Sequence, residues 1–312
     1  MAAFTELAEE DAAYACAQWQ LGHLLEVTPT ATGIENSNFF LASERDGQRQ
    51  EWVLTLAEQP FENVTLKTLL RLDAAGLPVP VPIRDRNGDL STAVAGAPAL
   101  LAPRFPGSHP EQPSLSQIAA IGRFLGRMHL STGGLDGPEH PRDLSWIEEQ
   151  AKRQRSKLGS GEQVLLAAAL MACNTACRRQ DWQRLPSGLV HGDVFRDNTL
   201  FDGARLCAVI DFHHTARGPL LFDLAVVAND WCCDEMGRFD GDRMRVLIAS
   251  YNGMRELTRE ERWLWPVMTI LAALRFWLAR LATRRKPPEE MARILDRGLR
   301  QGFPLLEQTL VS

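Results

Sequence analysis

The residues best able to do chemistry lie in one stretch: His191-Gly-Asp193, Asn198, Asp211 and Asp223. Apolar runs flank them, Gly188-Leu-Val190 before the first group and Leu206-Cys-Ala-Val-Ile210 before Asp211. Short apolar runs bounded by turn residues read as buried strands. Asp202-Gly203 supplies the turn between Thr199-Leu-Phe201 and the second run. A loop, a hairpin and a strand end therefore bring Asp193, Asn198 and Asp211 to one side of a small sheet. An acid followed five residues later by Asn, with a second acid just after the next strand, suits phosphoryl transfer. One carboxylate (Asp193) orients and deprotonates a hydroxyl, while Asn198 and Asp211 hold Mg²⁺ on the nucleotide phosphates. Asp, Asn and Gly are also ordinary turn residues. The acid-to-Asn spacing and the Ile-Asp-Phe212 strand end, both fitting a kinase catalytic loop, set this stretch apart from a plain loop.

Other elements must hold that stretch in place. Residues 5–25 have helical composition, with Leu7, Tyr14 and Trp19 as expected core contacts. Segments 26–34, 38–43 and 50–57 read as strands, the last two joined by Asp46-Gly47. A helix is expected over 64–75, with Leu66, Leu69, Leu70 and Leu72 apolar and Gly76 as its C-cap. The proline-spaced run 77–82 must be extended. Strands near 91–95 and 99–105 follow, and Phe105-Pro-Gly107 marks a hinge. Beyond it the pattern is helical: 114–130, with Leu115, Ile118, Ala119, Gly122, Leu125 and Met128 on one stripe, then 144–157, 162–183, 240–251, 259–285 and 288–301. Residues 131–143 form a loop rich in Gly, Pro and Asp. His129 reads as a helix-end histidine packed on the catalytic loop, and Asp223 as a near-buried acid that ties this loop down. The expectation is an α+β fold of two lobes. Residues 1–103 form a small lobe with a five-stranded antiparallel sheet plus a helix, 104–108 a hinge, and 109–312 a mainly helical lobe.

Composition narrows the classes. The 312 residues suffice for two substantial cores, and 45% apolar with 23% charged residues is ordinary for a globular protein. A net charge of −5 gives no general attraction to nucleic acid or anionic membrane. The basic run Arg284-Arg-Lys286 is short and reads as a solvated helix end. The acidic start, with Glu6, Glu9, Glu10 and Asp11, is unlike a signal peptide. Six cysteines without zinc-site spacing are expected as reduced thiols of a cytoplasmic protein. The most membrane-like stretch, 263–283, is interrupted by Pro266, Arg275 and Arg280, so a buried helix is expected.

His-Gly-Asp-Val-Phe-Arg-Asp-Asn198, Ile-Asp-Phe212 and Phe222-Asp-Leu-Ala resemble the aminoglycoside-phosphotransferase and choline-kinase superfamily, small-molecule kinases with a protein-kinase-like fold. More narrowly, Gly33-Ile-Glu-Asn-Ser-Asn-Phe-Phe40, Trp52-Val-Leu-Thr-Leu56, Gly76-Leu-Pro-Val-Pro80, Asn229-Asp-Trp-Cys232 and Arg275-Phe-Trp-Leu-Ala-Arg-Leu281 resemble the bacterial homoserine kinases within it. The resemblance implies ATP and Mg²⁺ as cofactors and L-homoserine as a small-molecule substrate on the way to threonine. It implies no nucleic-acid or membrane partner and a monomer or homodimer. Asp193 becomes the catalytic base and His191 the loop's brace. Arg196 meets the transferred phosphoryl or pairs with a nearby acid. Ser37 and Asn38, in a loop with a single glycine, face the ATP phosphates. The strand that carries a phosphate-binding lysine in the wider kinase pattern has none in 52–56. Lys67 is the nearest substitute in sequence, and a solvated lysine its plainer reading. For the substrate, Arg275 either clamps the carboxylate or pairs with Asp223 or Asp230. Asn229, Asp230 and Trp231 are candidate walls, with Asp230 toward the ammonium. Two alternatives stand beside this one: a kinase of choline, an aminoglycoside or methylthioribose, or an inactive kinase-like binding protein. Trp231, Trp263, Trp265 and Trp277 keep an aromatic choline cage open.

Overall fold

Alternating side chains build the first sheet around a helix of small residues. A computed structural model describes residues 7–30, 36–57, 61–283 and 289–301, and divides into the units Met1–Pro106 and Gly107–Ser312. In the first unit, α1 (Glu9–Gln18) is followed by strands β1 (His23–Pro29), β2 (Asn36–Arg45) and β3 (Gln48–Ala57). Helix α2 (Asn63–Ala74) and strands β4 (Thr92–Val94) and β5 (Ala97–Pro103) complete it. The five strands run antiparallel in the order β1-β2-β3-β5-β4. Phe39, Leu41, Leu54, Leu56 and Leu101 of one sheet face pack with Ala12, Ala15, Cys16 and Trp19. Ala12 and Ala15 let the helix backbone approach the sheet, so Tyr14 is left 48% exposed instead of in the core as expected. On α2 the buried set is Val64, Thr65, Thr68, Leu69 and Leu72, and Leu70 faces out. Gly76 takes φ +66 just past the helix, the left-handed stop expected of it.

In the second unit, helices α3 (Leu115–Ser131), α4 (Leu144–Gln154), α5 (Ser160–Cys177) and α6 (Gln180–Gln183) precede the strand region. Ser114 and Gln117 form a capping box at the start of α3. Its buried stripe runs through Ile118, Ile121, Phe124, Leu125 and Met128, while Leu115, expected on that stripe, sits in the first turn and is 47% exposed. Strand β6 (Ser187–Val190) leads into the catalytic-loop candidate, β7 (Thr199–Asp202) and β8 (Arg205–Val209) form the expected hairpin, and β9 (Ala216–Pro219) pairs back on β6. Helices α7 (Leu221–Trp231), α8 (Gly241–Asn252), α9 (Arg259–Thr283) and α10 (Glu289–Gln301) follow. Helix α9 is long and apolar enough to cross a membrane, with a mean hydropathy of 1.4 in its most apolar window, but 72% of that window is buried inside the protein, as expected of a core helix. The basic run 284–286 lies outside the described residues.

Candidate active site

Every residue of α7 is buried, and its first turn anchors the loop after β6. Asp223 accepts hydrogen bonds from the backbone N–H of His191 (2.7 Å) and of Gly192 (2.8 Å). Its outer partner is His129 of α3, whose Nε2 lies 3.1 Å from Oδ2. The Nδ1 of that ring is 2.8 Å from the Tyr251 hydroxyl, which also accepts from Arg255 at 3.0 Å. Arg255 in turn donates to the fully buried Glu261 at 2.9 Å. A chain of buried polar groups thus runs from the start of α9, through the end of α8, to the loop. Burial alone would raise the Asp223 pKa, but the His129 hydrogen bond, the charges around it and the Gly192 N–H hold it below the ordinary value.

Backbone geometry fixes the loop itself. Gly192 has φ +81, and a Cβ there would lie 3.2 Å from both His140 Nε2 and the His214 carbonyl oxygen, so both the fold angle and the space call for glycine. His191 is fully buried, with its Nε2 3.0 Å from the Ile210 carbonyl and its Nδ1 accepting the Asp193 N–H at 3.3 Å. That pair of bonds demands the neutral ring with its proton on Nε2. Burial pushes its pKa down against the opposing pull of Asp223 and Asp211. His191 braces the loop, and its ring nitrogens are both occupied in doing so.

Asn198 closes the turn. Its Nδ2 donates to the Asp193 carbonyl at 2.7 Å and to Asp193 Oδ2 at 3.0 Å. Its backbone carbonyl accepts from Ile210 at 2.9 Å, which sets it beside the strand end carrying Asp211. Asp211 has φ +66, a rare angle for a residue with a side chain, and its carboxylate is 41% exposed. With Nδ2 on Asp193, the Asn198 amide keeps its oxygen as the remaining ligand atom. One amide oxygen and one carboxylate are hard donors, and a pair of them suits Mg²⁺ that arrives with phosphate oxygens and water. Among the described residues no group of three His, Cys, Asp or Glu side chains could hold a metal.

The remaining predicted residues separate into groups. Arg196 pairs with Asp230, Nη2 to Oδ1 at 3.2 Å, while the Arg196 backbone N–H donates to Oδ2 at 2.7 Å. Burial would lower the guanidinium's pKa, but Asp230 outweighs it and holds the charge in place. The Asp230 carboxylate, expected toward a substrate ammonium, is therefore tied to Arg196. Trp231 is fully buried and donates to the Val194 carbonyl at 3.3 Å, so it supports the loop from beneath instead of lining a wall. Asn229 is 3% exposed and donates to Thr269 of α9. Trp265 and Trp277 are likewise fully buried and Trp263 is 67% exposed, so these tryptophans do not form an open cage.

In the first unit, Gly33–Glu35 lie outside the described residues. Ser37 and Asn38 belong to β2, not to the loop: the pleat buries Ser37 with Phe39 and Leu41, and Asn38 faces the other way, its Oδ1 accepting from Thr55 at 2.7 Å. Lys67 is exposed on α2.

Arg275 makes neither of the expected salt bridges. It is 3% exposed, donates from Nη2 to the Gly192 carbonyl at 2.8 Å, and stacks 4.2 Å from the centre of the Phe222 ring. Two residues near it were not singled out by sequence, His140 and Arg142, because a His-x-Arg in a proline-rich loop has no periodicity to mark it.

The chain belongs to the phosphotransferase enzyme family, whose model matches residues 26–257. Within it the chain stands among the homoserine kinases: it is 38% identical over 286 residues to that of Pseudomonas aeruginosa, covering 90% of this chain and 88% of the relative. It is 33% identical to the homoserine kinase of Janthinobacterium sp. over 98% of both chains. Its fold is that of a microcompartment-associated aminopropanol kinase, at a TM-score of 0.70 with 18% identity over 96% of this chain and 100% of the other. An amicoumacin kinase in complex with AMP-PNP shares it too, at a TM-score of 0.67 with 17% identity over 95% and 94%.

Proposed function

We propose that the protein transfers the γ-phosphoryl group of ATP to the side-chain hydroxyl of L-homoserine, giving O-phospho-L-homoserine, a step toward threonine. The observation that carries the chemistry is the Asp193–Asn198 pair, an acid held by an amide five residues on and backed by Asp223. The substrate is supported by relatives named homoserine kinase at 33–38% identity over nine-tenths or more of the chain.

In this reading Asp193 accepts the hydroxyl proton and aims the oxygen at the γ-phosphorus. Its gain is chiefly one of position, since such a transition state is mostly oriented and electrostatically stabilised. Asn198 and Asp211 would hold Mg²⁺, which would neutralise charge on the phosphates. Asp223, His191 and Trp231 keep the loop rigid, and the Arg196–Asp230 pair fixes its far end. The first unit serves the nucleotide, with Asn38 on the half-buried sheet face nearer to that role than the buried Ser37 or the solvated Lys67. Residues 104–108 serve as the joint. ATP consumption with a panel of amino alcohols, L-homoserine among them, tests the reading. L-homoserine should be the preferred acceptor, and preference for choline or an aminoglycoside would replace it.

A further inference from the structure

Two hydrogen-donating side chains, Arg275 and His140, meet at Gly192, each with a buried nitrogen that has no acceptor, and Arg142 follows in the same turn as His140. Arg275 Nε is buried and without a hydrogen-bond partner, and so is His140 Nε2. The Nδ1 of His140 accepts the backbone N–H of Arg142 at 3.0 Å, so its proton resides on Nε2 and that nitrogen is a donor. Both groups touch the same residue: Arg275 donates to the Gly192 carbonyl, and His140 Nε2 lies 3.2 Å from where a Gly192 Cβ would be. Arg142, from the same loop as His140, is near enough for its charge to act on both.

Such an arrangement is costly by itself. A buried donor without an acceptor carries a penalty of about 1–3 kcal/mol, and like charges brought together add to it. Among the described residues no carboxylate lies at ion-pair distance from Arg275, and the two acids whose charge reaches it have other ties: Asp193 accepts from Asn198, and Asp223 holds two backbone N–H groups and His129. His140 cannot relieve the strain by ionising. Burial, then the charge of Arg275, pushes its pKa down to about 3, so it stays a neutral donor. Surplus donors with net positive charge are what an anion completes.

We propose that Arg275, Arg142 and His140 form an anion subsite that takes the α-carboxylate of the amino-acid substrate. Arg275 is the fixed floor, held by Gly192 and the Phe222 ring, and the half-buried Arg142 is the edge an incoming anion meets first. The Gly192 carbonyl bonded to Arg275 is one residue from Asp193. A short amino acid held there by its carboxylate would present a hydroxyl a few bonds away to the base. This assignment rests on the reading of the protein as a homoserine kinase and adds the group that separates an amino acid from a plain amino alcohol.

The test compares L-homoserine with L-homoserinol, in which a CH₂OH replaces the carboxylate, as acceptors for wild type, Arg142→Met and Arg275→Met. Wild type should prefer L-homoserine. In Arg142→Met the ratio of the two kcat/KM values should fall on the order of 10- to 100-fold, the usual worth of a charged hydrogen bond, mainly through the KM of L-homoserine. The ATP KM should hold. Arg275→Met should act in the same direction and more strongly. Because that arginine is buried, thermal melts accompany both variants, and Arg142, in a half-buried loop position, is the variant expected to fold as wild type. An unchanged ratio in a folded Arg142→Met overturns the subsite while leaving the homoserine kinase reading intact. A wild type that ignores L-homoserine but phosphorylates another alcohol overturns both. Lowered melting of Arg142→Met with a normal ratio makes the residue structural and also overturns the subsite.

Discussion

Asp193 is held in three ways: by Asn198 on its carboxylate, by Asn198 on its carbonyl and by the His191 ring on its N–H. Asp193→Asn preserves size and most of these bonds and removes the proposed base. Turnover should fall by roughly 10²-fold or more, with folding and nucleotide affinity retained; single-turnover kinetics under saturating ATP measure it. The two residues proposed to hold Mg²⁺ should not be equal. Asp211 contributes a full charge and Asn198 an amide dipole, so Asp211→Ala should weaken Mg²⁺-dependent nucleotide binding more than Asn198→Ala does. Titrating Mg²⁺ against nucleotide binding in both variants ranks them, and the reverse order would move the metal elsewhere. At this scale much of the site could be read from sequence, because Asp193, Asn198, Asp211 and Asp223 are joined by spacing along one short stretch. The roles of Asp230 and Trp231 could not, since their partners, Arg196 and Val194, lie more than thirty residues away and only packing brings them together.

Among the elements, α3, α7, α8 and the start of α9 act through one buried polar chain, Glu261–Arg255–Tyr251–His129–Asp223. The two ring nitrogens of His129 are shared between Asp223, on Nε2, and the Tyr251 hydroxyl, on Nδ1. Tyr251→Phe removes the second partner and leaves a buried nitrogen unsatisfied, which costs about 1–3 kcal/mol. The melting temperature should drop by about 2–4 °C for each kcal/mol, whereas turnover should fall far less than in Asp193→Asn, because Asp223 still holds both backbone N–H groups. Unchanged melting would mean that the chain is incidental. The hairpin of β7 and β8 and the five-stranded sheet were legible because turn pairs such as Asp202-Gly203 and Asp46-Gly47 mark them. The buried faces of the helices were legible only in part. Tyr14, Leu70 and Leu115 have apolar bodies at helical spacing, yet α1 packs through small residues, α2 packs through the expected Leu69 and Leu72 joined by Val64 and two threonines, and Leu115 lies in an exposed first turn. Apolar periodicity gives a stripe, and the partner surface chooses which edge of it is covered.

For the whole molecule, pH dependence follows from two depressed histidines in the second unit. His191 and His140 stay neutral when folded, while in the unfolded chain each takes a proton below about pH 6.5. The unfolded state then binds more protons, so stability is full above that pH and is lost as pH falls toward the depressed folded values. Chemical denaturation between pH 8 and pH 5 should show this loss, with a shallower slope in His140→Asn. The central claim is phosphoryl transfer to the hydroxyl of L-homoserine with Asp193 as base, and phosphorus NMR of ATP, Mg²⁺ and L-homoserine with the purified protein tests it most directly. A phosphomonoester signal should grow one for one with ADP, vanish without L-homoserine, and slow by roughly 10²-fold or more in Asp193→Asn. ATP loss without that phosphomonoester, or a wild-type rate in the variant, would contradict the account.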